Sequence, residues 1–519
     1  MTRTLPAPVA AGADERFGPR LWGLLLVLAG NMLIDALEVS VAVVALPAIG
    51  TDLGQPPTVT QWAMTGFAAG FGGLLLFGAR VVTLLGRRRV YLAALLAFAA
   101  ASVLSALAHD PWLLLATRLA KGFCAALTAP TGLAIITSTF PEGRPRSRAV
   151  SVYTLFGAGG FTAGLLLSGW LTETSWRWAF AFPAPVVLLL FACGLRLIPK
   201  GDDESAPKEP DVSAGGAKSA PKGRGELRDQ PPPGRTRTTT TRHFGIPSAL
   251  TLLGALLALV QGITQLPAHG WTAPQATAPL TAAVLLLLLF QQIERRSADP
   301  LLNTGPLRGN PALIRSAIGA ACLNGSYLGL LFVLTYQTQT LAGWSPLRTA
   351  FALLPAAAPP ALTALTSGRL VARFGAPRLI VAGAACAFAG ALLQLRPHAW
   401  PLDYPGRMLP TLLLVGAAFV LSFAALNMQA MSRLTPADRL TGSGLYQTAV
   451  QLAAVLAVAL AAALLAAHAP AHGAGPAAAA AACRPALTLV ATLGFLGLLV
   501  GLTGLIRTQP PASSPHHGE

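Results

Sequence analysis

Charge is what this chain has least of. Only 11% of its 519 residues are Asp, Glu, Lys or Arg, where a soluble chain carries about a quarter, so a set of water-soluble domains is excluded. Acids are scarcer still, 20 against 37 Lys plus Arg. The five cysteines (Cys124, Cys193, Cys322, Cys386 and Cys483) stand singly, with no CxxC and no histidine at ligand spacing, which leaves no basis for a disulfide framework or a metal site. There is no HExxH and no phosphate-binding Gly-Lys-Ser/Thr loop, so a zinc enzyme and an ATP-driven pump lack support and no cofactor is expected.

What is present is hydrocarbon. With 53% hydrophobic residues and a mean hydropathy of +0.58, the composition is that of a polytopic all-α membrane protein. Counting apolar stretches of about 17 to 25 residues predicts about fourteen spans, with cores at 21–47, 61–82, 90–108, 112–138, 149–170, 178–198, 245–266, 276–292, 313–341, 347–368, 378–395, 408–432, 442–466 and 486–506. The polar stretch Met1 to Arg20 leads into an apolar run far longer than a signal-peptide core, so the first span is expected to be retained.

Clusters such as Arg87/Arg88/Arg89, Arg144/Arg146/Arg148, Arg295/Arg296 and Arg369/Arg373/Arg378 recur at alternate ends of the spans. By the positive-inside rule both termini are expected in the cytoplasm, which also requires an even number of spans. This dispersal explains the net charge of +17 as topology, and no nucleic acid partner is expected.

Residues 199–243 are rich in Pro, Gly, Ser, Thr and mixed charge, so a disordered cytoplasmic linker is predicted there. The expected order is a tail (1–20), a six-helix bundle (21–198), the linker, two additional helices (244–292), a second six-helix bundle (293–507) and a tail (508–519). The stretch 468–482 is Ala/Gly/Pro low complexity, a loop with partial helix. A weak repeat relates Gly78 to Arg88, ending span two, to Gly368 to Gly375, ending span ten; two such six-helix halves with the substrate between them are one transporter architecture.

The first span carries Asp35 and Glu38 where hydrocarbon is expected, three residues apart on one face. Each would cost at least about 2.5 kcal/mol in the bilayer, so an intramembrane acid reads as a functional site. Arg118 and Lys121 stand in the fourth span.

At Leu37-Glu38-Val39-Ser40 to Ala45-Leu46-Pro47 the sequence resembles the major facilitator superfamily, within it the fourteen-span drug:proton antiporter branch of EmrB/QacA-type multidrug exporters. Glu38 falls at the branch's first-span acid, Val43 replaces its asparagine, and Asp35 is additional. Gln61-Trp62 is similar to the opening of span two. Gly78 to Arg89 resembles the family's loop motif, with Thr83 in place of its acid and Ala372 in the second copy. Arg118 to Ala126 resembles the fourth-span motif, with Lys121 for glutamine and Cys124 for glycine. Gly157 to Gly169 resembles the antiporter motif, with Leu165 for proline and Ser168 for a glycine.

The resemblance implies a major facilitator fold with two six-helix bundles plus two extra helices, an amphiphilic substrate, and protons as the coupling ion. It also implies that the intramembrane acid and Arg118 take part in coupling. If the first and fourth spans are neighbours, Glu38 is expected to meet Arg118 and Asp35 to meet Lys121, a four-charge cluster balanced in sign; a purely structural set of ion pairs is the alternative. Gly86, Arg87, Arg88, Arg373 and Gly375 are candidates for gating, or for a charge cluster facing anionic lipid. Gly160 and Gly164 are candidates for close helix packing. Asn31, Asn324, Tyr327, Tyr336, Gln337, Asn427, Gln429, Tyr446, Gln447 and Gln451 are candidates for a cavity that orients an amphiphile without demanding one charge, interhelical hydrogen bonds being the alternative.

The expected function is export of drugs or antibiotics across the cytoplasmic membrane by alternating access, with proton antiport, by a monomer in the lipid bilayer. Alternatives are a dedicated exporter of one endogenous metabolite and a non-transporting receptor.

Overall fold

The computed structural model describes residues 17–199, 245–297, 300–302, 305–307, 309–396, 401–435, 438–470 and 475–506. The linker prediction for 199–243 and the last tail therefore lie outside the described residues, apart from Pro199. Among the described residues every regular element is helical, as hydrocarbon requires of a chain that must satisfy its own backbone hydrogen bonds.

The first half comprises α1 (Pro19–Leu53), the short α2 (Pro57–Thr60), α3 (Trp62–Leu85), α4 (Arg87–Ala106), α5 (Pro111–Thr139), α6 (Arg144–Thr174), α7 (Trp176–Ala181) and α8 (Pro183–Leu197). Two further helices follow, α9 (Ile246–His269) and α10 (Pro274–Arg296). The second half comprises α11 (Pro311–Thr335), α12 (Pro346–Thr363), α13 (Ser367–Phe374), α14 (Ala376–Leu395), α15 (Leu409–Met431), α16 (Arg439–Ala467), α17 (Pro476–Ala482) and α18 (Arg484–Ile506). Among the described residues thirteen helical stretches are long and apolar enough to span, fourteen if the bent pair α12 and α13 counts as one.

Proline and glycine punctuate these runs. Proline stands in the first turn of α1, α5, α8, α11 and α12, among others, where its fixed φ suits the helix and its missing N–H is no loss. The tight join before α5 is held by Asp110, whose side chain accepts from the backbone N–H of Trp112 and Leu113, both at 2.9 Å, an N-cap. Gly86 and Gly375, the matching ends of the two repeat copies, have φ of 87° and 80° and begin α4 and α14. Only glycine adopts that conformation at no steric cost, so the weak sequence repeat is repeated in the backbone.

The tenth span departs from the expected straight helix. It is broken after Thr363, and α13 turns away from α12 by 78°. Pro355, Pro359 and Pro360 lie within α12, each removing a backbone hydrogen bond and crowding the preceding turn. In α13, Arg369 and Arg373 are exposed and Val371 is buried, so one face of this short helix stays in a polar setting. The low-complexity stretch contains α17, in agreement with partial helix.

In the first half α1 packs on α6, α3 on α5, and α4 on α5 and α8; in the second α11 packs on α16 and α18, and α14 on α15 and α18. Helix α9 packs on α3 and α16, and α10 packs on α9. The halves meet through α6 with α12 and α3 with α16. At the arginine-poor end they are also tied by hydrogen bonds: Gln339 donates to Val44 O at 3.0 Å and Leu347 N donates to Glu173 at 3.0 Å.

Gly160 and Gly164 sit where α6 crosses α1. A Cβ at Gly164 would come within 2.9 Å of Leu37 Cα, and one at Gly160 within 3.0 Å of Leu33 Cα, so backbone would have to move. Gly164→Ala is expected to lower stability by about 1–3 kcal/mol through overpacking. Gly159→Ala, which meets nothing within 4 Å, should not; thermal unfolding in detergent compares them.

Candidate functional site

The candidate site is the interior of the first half. Arg118 and Lys121 are one turn apart on α5 and share a face, and both reach the same acid. The Glu38 carboxylate on α1 receives Arg118 Nη1 on one oxygen and Lys121 Nζ on the other, with all three side chains fully buried. Arg118 is tied down further: Nε donates to Ala63 O of α3 at 2.5 Å and Nη2 to Glu38 O at 2.9 Å.

Aromatic rings complete the enclosure. The Arg118 guanidinium lies 5.0 Å from the Phe67 ring centre and 5.3 Å from that of Phe180, and Lys121 Nζ lies 5.1 Å from Phe98 and 5.7 Å from Phe180. Rings at this distance stabilise a desolvated cation, which water would do at the surface.

The expected pairing of Asp35 with Lys121 is not found. Asp35 Oδ2 accepts from Asn31 Nδ2 and from Thr128 Oγ1, each at 3.0 Å, and among the described residues Oδ1 has no partner and no cation meets this acid. The reason lies in side-chain length. Arg and Lys are long enough to reach along α5 to one carboxylate, whereas the short Thr128 marks the level at which Asp35 actually crosses α5. Two cations and one acid thus form a closed cluster, and a second acid stands alone one turn away.

Around Asp35 are Glu38 on its own helix, Cys124 and Thr128 on α5, Tyr91 on α4 and Tyr153 on α6, the last two within electrostatic reach. Tyr153 donates to Ala129 O at 2.9 Å, while the fully buried Tyr91 hydroxyl has no partner among the described residues. Thr128 was legible in principle, since 118, 121, 125 and 128 follow helical spacing on one face. Phe67, Phe98, Phe180 and Tyr91 come from other helices and had no local signal.

The polar residues expected to line a cavity are not gathered at one place. Asn31 belongs to Asp35. Asn324 donates to Val450 O at 3.1 Å and ties α11 to α16. Tyr446 is buried in the core of the second half, and Gln451 packs against Gly72 of α3, with Gln447 half-buried on the same helix. Tyr336 and Gln337 belong to a π-helical turn, Tyr336–Leu341, after α11, with Gln337 buried near Cys483. Asn427 is exposed, and Gln429 lines a crevice of the second half with Arg315.

Tyr327 does stand between the halves. Its ring lies 5.7 Å from Phe161 of α6 and 5.0 Å from Phe419 of α15, and Phe419 stacks on Phe423 at 4.9 Å, an aromatic run across the interface that the polar inventory missed.

Of the gating candidates, Arg88 donates to Ile198 O at 3.1 Å and Leu195 O at 2.8 Å. It therefore fastens α4 to the end of α8 within one half, not across the halves. Arg87 and Arg373 are exposed.

Among known proteins, the family model described as Major Facilitator Superfamily matches residues 28–458. The puromycin resistance protein pur8 of Streptomyces alboniger is 33% identical over 455 residues, 86% of this chain and 82% of that protein. The cephamycin export protein CmcT of Amycolatopsis lactamdurans is 29% identical, covering 85% of this chain and 84% of that protein, and a lincomycin resistance protein of Streptomyces lincolnensis is 28% identical, covering 87% and 84%. Among solved structures, a bacterial homologue of the human lysosomal transporter Spinster, inward-facing and unoccupied, superposes with a TM-score of 0.61 at 16% identity, covering 96% of this chain and 100% of that one. The xylose transporter XylE from E. coli, inward open, gives 0.57 at 13%, covering 95% and 98%.

Proposed function

Because the chain belongs to the Major Facilitator Superfamily and is a multi-pass transporter of the cytoplasmic membrane, we propose that it exports a small amphiphilic drug or antibiotic by alternating access, driven by protons moving inward. Relatives named for resistance to puromycin and lincomycin and for export of cephamycin support the direction and the class of cargo. The observation that carries the coupling is the division between the two acids of α1: Glu38 is held by two cations, while Asp35 has none.

A carboxyl buried without a counter-ion changes its net charge when it exchanges a proton, and that charge is felt strongly in a low-dielectric interior. A movement of α5 against α1 that withdrew Thr128 from Asp35, or brought Lys121 closer, would alter the stability of the carboxylate and so link proton exchange to the conformation of the half. The ties at the arginine-poor end support reading this arrangement as closed toward the outside. The run Phe161, Tyr327, Phe419 and Phe423 supports an aromatic contact surface for cargo between the halves, since flat apolar faces accept many amphiphiles.

Purified protein in liposomes should accumulate an antibiotic cargo such as puromycin when a pH gradient of the right sign is imposed, and should lose that accumulation when the gradient is collapsed. Transport indifferent to the gradient would count against proton coupling. The similarity to a named cephamycin export protein favours one further reading, a dedicated exporter of a single endogenous compound; a resistance profile confined to one chemical class in cells carrying the gene would select it.

A further inference from the structure

Away from the acid cluster, one half-buried cation has no counter-charge among the described residues. Arg315 lies on α11, five residues into the helix from its arginine-rich end, about 6 Å along the axis. Its Nε is buried, and among the described residues nothing accepts a hydrogen bond from it or pairs with its charge. A half-buried guanidinium with no counter-charge near a helix end is placed to receive an anion.

The guanidinium faces a crevice where α11, α14, α15 and α18 converge. Gln429 of α15 shares the mouth, and the walls are Pro377, Ile380, Leu426 and Val500. Glycine leaves the room: a Cβ at Gly504 of α18 would stand 3.9 Å from Arg315 Nε and 4.0 Å from Gln429 Nε2. A second hollow shares Ile380 and Leu426 and continues the crevice toward the middle of the bundle, with Leu323, Ala387 and Leu493 on its sides. The opposite face of α18 presents Leu496, Leu499 and Leu502 outward, so the crevice sits just behind a helix that itself faces lipid.

We propose that this crevice holds an anionic phospholipid of the cytoplasmic leaflet, its phosphate on Arg315 and Gln429 and an acyl chain along the apolar extension. The chemistry is complementary at both ends: a planar guanidinium matches phosphate oxygens in a bidentate manner, an amide donates beside it, and the continuing walls are hydrocarbon and glycine apart from Ser422. The depth is that of a headgroup, and basic pockets between spanning helices on the cytoplasmic side are where anionic headgroups are held. A soluble anion would use the mouth and leave the apolar extension unused, which distinguishes the two sources of phosphate.

The test uses the full chain, purified and delipidated, with phosphatidylglycerol or inorganic phosphate added, read by thermal unfolding and native mass spectrometry. Phosphatidylglycerol is expected to bind and raise the unfolding midpoint, and phosphate at the same concentration is not. Arg315→Gln should weaken lipid binding about ten-fold or more, the loss of one charge-assisted contact, while Arg315→Lys keeps part of it. Gly504→Leu, which leaves the cation in place and fills the crevice, should abolish binding even if Arg315→Gln fails to fold. Unchanged lipid binding by Arg315→Gln or Gly504→Leu would overturn the proposal, and an equal shift with phosphate alone would replace the lipid by a soluble anion.

Discussion

Glu38→Gln is expected to destabilise the first half by about 3–5 kcal/mol, because it strands not one but two buried cations. Arg118 and Lys121 share that carboxylate and are fully enclosed by α1, α3, α4, α5 and α7, so neither has water to turn to. The loss should appear as low yield and a lowered unfolding midpoint in detergent. Charge arithmetic supplies the control: Lys121→Gln alone leaves Glu38 and Arg118 as a balanced pair and should cost much less, and adding it to Glu38→Gln should recover part of the stability. Arg118→Gln should be worse than Lys121→Gln, since it also removes the hydrogen bonds to Ala63 O and Glu38 O that tie α5 to α3 and α1. A Glu38→Gln protein as stable as the parent would show that the cluster is not an electrostatic unit.

Asp35→Asn should do the opposite, sparing the fold and stopping the coupling. Asparagine has the same shape, and its carbonyl oxygen can accept from Asn31 and Thr128 as Oδ2 does now; its amide nitrogen takes the place of the partnerless Oδ1, a cost of about 1–3 kcal/mol that stays below that of stranding two cations. It cannot exchange a proton. Export driven by a pH gradient should fall by about a hundred-fold or more, the scale on which removal of a proton-transferring group is felt, while exchange of labelled for unlabelled cargo across the liposome membrane continues. Asp35→Glu, which retains the carboxyl, should keep part of the driven export. Retained gradient-driven export by Asp35→Asn would remove Asp35 from the mechanism, and loss of exchange as well would make it a structural residue.

Helix and span were legible because they rest on neighbours in the chain. The fourteen apolar runs and the glycines that begin α4 and α14 are local signals, and the runs placed the helices to within several residues. Where local rules compete, the sequence reading gave way. The tenth run reads as one span by hydropathy, yet three prolines around and beyond its middle and the arginines of α13 turn it by 78°.

The four intramembrane charges were equally legible as an anomaly, since hydropathy exposes any ionised group in a lipid-facing run. The pairing of Glu38 with Arg118 was legible too and is found, whereas that of Asp35 with Lys121 is not. Matching Asp35 with Lys121 treats α1 and α5 as parallel rulers read residue against residue, whereas crossing helices and long side chains let one carboxylate gather both cations. The dispersal of the second-half polar residues has the same origin. Polarity in a sequence marks that a side chain needs a partner, and a backbone carbonyl on the next helix serves Asn324 as well as any ligand would.

The amino-acid sequence by itself determined that this chain lies in a membrane, where most of its helices begin, and that charge is buried in its first half, while its motifs carried the resemblance to a transporter family. These follow from hydrocarbon length, backbone stereochemistry and the cost of burying a carboxylate, all properties of short stretches. Only the tertiary structure decided which acid is locked and which is alone, that Arg88 fastens one half to itself, that an aromatic run joins the halves, and that Arg315 looks into a crevice. Each depends on which side chains from distant parts of the chain meet in a low-dielectric interior, where a difference of one turn separates a paired charge from a solitary one.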